Sequence, residues 1–135
     1  MGVGKPVIQK SQVAMKYADK IPYNFVLDYL TGVDIVIKPM FGFYGIYTGG
    51  KLRLCLVSRE KPLRRREKEA FQKGVYIATI VEHIDSLKSD FPSAEFEMLK
   101  EGKVWVFVSE ELPEFEAYAI RACELITAGD PRIGR

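Results

Sequence analysis

The sequence predicts an α+β fold: an antiparallel sheet of about five to six strands in two hairpins, with N-terminal and C-terminal helices packed on it. Three observations support this. Apolar and polar residues alternate in "KLRLCLV" (51–57), where Leu52, Leu54 and Leu56 share one face and Lys51, Arg53, Cys55 and Val57 the other. Glycine-bearing turns, "TGG" at 48–50 and Glu101-Gly102, separate such runs, and tight hairpin turns need residues that accept positive φ. Residues 113–128 then carry apolar side chains three and four apart, the period of a helix.

In chain order, Ser11 caps a short helix over 12–19, and Pro22 opens a second, "PYNFVLDYL". Its apolar positions are Phe25 and Tyr29, with Val26 and Leu30 one face over, and Gly32 is its left-handed stop. "DIVIK", "FYGIY" and "KLRLCLV" read as three strands. Residues 58–73 have no strand period; Pro62 opens a helical turn whose apolar stripe is limited to Leu63, Ala70 and Phe71. "GVYIATI" resumes strand character, and "VEHIDSLKSDFP" reads as a helix burying Val81, Ile84, Leu87 and Phe91. "AEFEML" and "KVWVFV" form the second hairpin, with Gly102 at positive φ. Both faces of "KVWVFV" are apolar: Val104, Val106 and Val108 on one, Trp105 and Phe107 on the other. The second face therefore needs a cover from a helix of the same chain or from another subunit, which marks Trp105 and Phe107 for self-association. The closing helix buries Phe115, Ala119, Ala122 and Ile126, widened by Tyr118 and Leu125, and Gly129 and Pro131 stop it.

A chain of 135 residues suits one domain. The expected organisation is an N-terminal extension with a short helix at 1–20, a single α+β domain at 21–129 and a basic tail at 130–135. The composition, 47% hydrophobic and 28% charged, is that of a globular protein. Two cysteines, Cys55 and Cys123, form no CxxC pair, the usage of a reduced compartment. "MGVGKPVIQKSQ" has no apolar core of a signal peptide, and uninterrupted apolar runs such as "VWVFV" fall far short of a membrane span. The expectation is a cytoplasmic protein without membrane contact. Net charge is +2, but residues 51–80 hold nine Lys/Arg against three Glu, and residues 81–135 six Lys/Arg against twelve Asp/Glu.

Candidate chemistry is sparse. The sole histidine, His83, falls off the Val81/Ile84/Leu87 stripe and reads as solvent-exposed, so a Cys55–His83 dyad is not expected. Cys55 on its strand and Cys123 beside Ala122 read as small core residues, with a thiol-dependent enzyme or sensor at Cys55 as an alternative. No ligand spacing suits a metal, no glycine-rich phosphate loop is present, and no cofactor is expected. "RRREK" gives a cationic edge: as a helix it pairs Arg65 and Arg66 with Glu69 and leaves Arg64 and Lys68 bare. Arg64, Arg65, Arg66 and Lys68 are thus the candidate phosphate contacts of a nucleic-acid-binding accessory protein, set against a solvated helix that offsets the acidic half.

"PMFGFYGIYTGGKLRLCLV", preceded by "FVLDYL" and followed by "GVYIA", resembles the TfoX N-terminal-domain family of competence regulators. Met40, Phe41, Gly42, Tyr44, Gly45, Ile46 and Tyr47 fit its MFGGYG hairpin signature, and "AIRACELI" is similar to its closing helix. Phe43 stands where the family has a second glycine, and the basic segment 58–73 looks inserted. The resemblance implies a secretion-chaperone-like α+β fold and a small non-enzymatic binding or regulatory domain linked to transcription regulation, partnered by a second copy or another protein. It implies no catalytic residues. Within the signature, Gly42 and Gly45 are expected to let strands bulge or approach, while Met40, Phe41, Phe43 and Tyr47 pack the core.

Overall fold

The structure, a computed structural model, describes residues 20–40, 42–58 and 73–135, with Met40 described in its backbone only. The expected helix over 12–19, Phe41 and the basic segment 59–72 lie outside the described residues. A 3-10 helix, Asn24–Tyr29, leads into β1 (Val36–Met40), β2 (Phe43–Thr48), β3 (Lys51–Ser58) and β4 (Lys73–Ile80). A 3-10 turn, Val81–His83, precedes α1 (Ile84–Asp90); β5 (Glu95–Met98), a second 3-10 turn (Lys100–Gly102), β6 (Lys103–Ser109) and α2 (Phe115–Thr127) complete the chain order. The strands form one antiparallel sheet in the order β1-β2-β3-β4-β6-β5. This is the α+β architecture that the alternating runs predict. No helix among the described residues is long and apolar enough to cross a membrane.

Local chemistry sets the turns. Gly49 (φ +57°) and Gly50 (φ +79°) join β2 to β3, the paired positive φ of a hairpin turn whose twist matches its strands. Gly42 (φ +90°) lies in the two-residue connection between the paired Met40 and Phe43, a conformation that glycine adopts without penalty. At the second hairpin Gly102 (φ +76°) shares the reversal with Glu101 (φ +61°), and Leu99 N–H bonds back to the Lys103 carbonyl at 2.8 Å.

Strand alternation puts a row of cross-strand neighbours, Ile37, Ile46, Leu54, Ile77 and Val106, on one face, each no more than 3% exposed. Val26, Leu27 and Leu30, Leu87 and Phe91 of the α1 region, and Ala119, Ala122, Cys123 and Ile126 of α2 close over that face as one core. Alanines at 119 and 122 let α2 approach the strands closely, and the cluster excludes water from both layers.

Three expectations about the helices change. The segment at 24–29 is a 3-10 helix entered from Tyr23 in the left-handed region (φ +55°), and Tyr29 is 43% exposed. A tighter repeat of three residues rotates Tyr29 off the face that a 3.6 repeat assigns it. Val81 is likewise exposed, because it belongs to the 3-10 turn before α1 rather than to the helix. His83, in the same turn, is half-buried rather than solvent-exposed.

The end of α2 holds the next segment in place. Gly129 (φ +73°) donates to Ile126 O at 3.0 Å and Asp130 to Leu125 O at 2.9 Å, the paired bonds of a Schellman stop. Asp130 accepts from Arg132 N, Nε and Nη2, and Arg132 Nη1 reaches Asp90 Oδ2 (2.8 Å) and Ser86 Oγ (2.7 Å) on α1. β3 and β4 stop pairing beyond Leu54 and Ile77. Residues 133–135 occupy the opening: Ile133 is fully buried, Gly134 N–H donates to Ala78 O at 2.7 Å, and Leu52 and Arg135 exchange backbone bonds of 3.1 Å in both directions. Arg53, which lies at an irregularity in the β2–β3 register, seals the junction by donating to Thr48 O, Thr48 Oγ1 and Ile133 O.

Candidate binding face

The same alternation that loads one face with aliphatics puts a different set on the other. A row runs from Gly45 through Cys55, Tyr76 and Phe107 to Glu95, and the next row carries Ala78, Trp105 and Glu97. The buried side chains of the helices join the core on the opposite face. Cys55, Val57, Ala78 and Phe107 are buried here yet stand outside that core cluster. The sheet therefore separates two layers, one aliphatic and helix-covered, the other aromatic and charged.

Aromatic packing organises the second layer. The Tyr76 ring meets Trp105 edge-on at 5.5 Å and lies tilted against Phe107 at 4.6 Å, separations at which offset and edge-to-face ring pairs attract. Arg135 holds its guanidinium 4.5 Å above the Trp105 ring, and at the far edge Lys38 Nζ lies 4.5 Å above Tyr47. Burial, reinforced by the negative charges of Glu97 and Glu95, pushes the Tyr76 phenol up to about 12. Burial also pushes the Cys55 thiol up to about 12, with nearby Arg135 opposing the rise. Desolvation lowers Arg135 from its ordinary value. What the arrangement offers chemically is stacking surface and fixed charge, with a thiol held protonated.

The expected site residues separate. Trp105 and Phe107 share this face as the two-sided β6 pattern predicts, with Trp105 half-buried and Phe107 6% exposed. Arg64, Arg65, Arg66 and Lys68 lie outside the described residues. The signature divides in a way that corrects its expected packing. Tyr44 and Ile46 face the core, whereas Phe43 and Tyr47 are half-buried on the aromatic face, because adjacent strand residues point oppositely. Phe43 and Tyr47 do not pack the helix-covered core. Gly45 pairs with Cys55, and Gly42 serves the β1–β2 turn. Cys123 is fully buried in the core, its Sγ 3.6 Å from Val26 O.

Cys55 lies on β3 in the aromatic layer, whereas His83 lies in the 3-10 turn before α1. Among the described residues no three His, Cys, Asp or Glu side chains gather as a metal site. Sequence reasoning missed Tyr76 and Arg135. The signal for Tyr76 was its alternation with Val75 and Ile77; for Arg135 it was Ile133, an apolar residue inside an otherwise polar tail. No family model, curated protein or solved structure matches the chain.

Proposed function

We propose that this chain is a non-enzymatic binding and regulatory domain, similar to the N-terminal domain of TfoX-type competence regulators, that pairs with a second copy through its aromatic sheet face. The observation that carries this reading is the position of Trp105: half-buried beside Tyr76 and Phe107, on the face opposite the helix-covered core. Such rings supply contact area with little side-chain entropy to lose, and large aromatics dominate association energies. The face also carries both signs of charge, Arg135 and Lys38 against Glu95 and Glu97. A two-fold axis can bring opposite charges of two identical surfaces together.

Sedimentation equilibrium with light scattering tests the reading. A dimer is expected at micromolar concentration, weakened at least about tenfold by Trp105→Ala. A monomer throughout that range, with tryptophan emission already that of a dry indole, defeats it.

A further inference from the structure

From Arg135 we infer a small-oxyanion site: its guanidinium, above the Trp105 ring, has an unpartnered two-nitrogen edge suited to a carboxylate or a phosphate. Nε and Nη2 of Arg135 are buried and have no hydrogen-bond partner, and they are the only buried side-chain nitrogen or oxygen atoms of the described residues in that condition. These two nitrogens form one side of the guanidinium, the side whose parallel N–H bonds match the two oxygens of a carboxylate or phosphate. The other arginines in comparable settings are occupied. Arg132 spends its nitrogens on Asp130, Asp90 and Ser86, and Arg53 on Thr48 and Ile133.

Arg135 is also held in place. Its backbone is locked to Leu52 by two hydrogen bonds, and the preceding Gly134 to Ala78, so the guanidinium is aimed before any ligand arrives. Trp105 supports it from one side at 4.5 Å, and the Cys55 thiol lies near it on the same face. A desolvated cation whose donors lack acceptors is unfavourable unless an anion completes it. Arg135 as a whole is only half-buried, which places the fork just beneath the surface rather than in the interior. Every residue of the site comes from one copy of the chain.

The indole beneath the fork gives a direct readout, because Trp105 is the sole tryptophan. Its emission is followed while sodium acetate or sodium phosphate is added to the full chain, with sodium chloride holding ionic strength constant. A saturating change in the millimolar range is expected with at least one oxyanion. A response to acetate assigns a carboxylate ligand, one to phosphate a phosphate ester, and both support the site. Arg135→Lys keeps the charge but loses the planar fork, and should weaken binding about tenfold. Arg135→Ala should abolish it, with circular dichroism confirming the fold. As a measurement free of substitution, the Arg135 Nε–H resonance of the unaltered protein should shift along the same titration. No saturable response to either oxyanion, an equal response in folded Arg135→Ala, or an Nε–H resonance that stays still overturns the assignment.

Discussion

Gly74 lies so close to Val108 that a Cβ built on it would collide with the Val108 carbonyl oxygen and sit 2.9 Å from Phe107 Cε1. The first obstacle is backbone in the neighbouring strand, which cannot swing aside as a side chain does. Gly74 pairs with Ser109 in the β4–β6 ladder, so relief requires the two strands to part. Gly74→Ala should cost about 1–3 kcal/mol through overpacking. A urea midpoint equal to that of the unaltered protein would show that the strands separate without penalty and that the close approach is unimportant.

Ile133 offers a second test, of the segment that fills the opening between β3 and β4. It is fully buried in the main core and lies two residues before Arg135, whose backbone pairs with Leu52. Ile133→Ala is expected to lower stability by about 2–5 kcal/mol, and Ile133→Val by about 0.5–1.5 kcal/mol. Both values are read from denaturant unfolding with the slope unchanged. A loss too small to measure for the alanine variant would mean that the segment is peripheral to the fold.

Local patterns and long-range ones were unequally legible. Leu52, Leu54 and Leu56 recur at every second position, and Gly49-Gly50 can do little but turn, so β2, β3 and their hairpin follow from adjacent residues. The two-faced character of β6 likewise announced a second layer around Trp105 and Phe107. Tyr29 and Val81 were misplaced because short 3-10 segments follow a period of three, and a few residues cannot distinguish that from 3.6. Phe43 and Tyr47 were misplaced because their aromatic character suggested burial, while strand alternation decides which face they take. Arg135 was harder to read for a different reason: Ile133 marks its tail as packed, but its own partners, Leu52 and Trp105, are distant in sequence and no local period records them.

Acid should act on the clamp between α2, α1 and the segment after it. The hydrogen bond from the Arg132 side chain, with further help from its backbone N–H and charge, holds Asp130 below its ordinary value despite partial burial. The folded state thus binds this proton less readily than the unfolded chain does. The contribution is complete above the unfolded value of about 3.9 and is lost as pH falls through the lower folded value. Asp130→Asn should remove about 1–3 kcal/mol near neutral pH, with the gap between variant and unaltered protein closing as acid is added. Parallel stability curves down to the lowest pH would show that the Asp130 charge contributes nothing.

Alkali tests the aromatic layer through Cys55. Burial pushes this thiol up to about 12, and the nearby Arg135 charge only moderates the rise, whereas an unfolded cysteine ionises near 8.5. Here the unfolded chain gives up its proton first, so the stabilisation is full below about 8.5 and is lost as pH rises toward the folded value. Cys123, equally buried in the other layer and also pushed up to about 12, adds a slope of the same sign. Cys55→Ala should therefore flatten part of the alkaline loss without abolishing it. The same protonation makes the native thiol a poor nucleophile. A disulfide reagent at neutral pH should leave the folded protein unmodified and titrate both cysteines once guanidinium unfolds it. Rapid modification of Cys55 in the folded protein would reopen the thiol-dependent reading, because it would require a thiolate where burial in this layer holds the proton on.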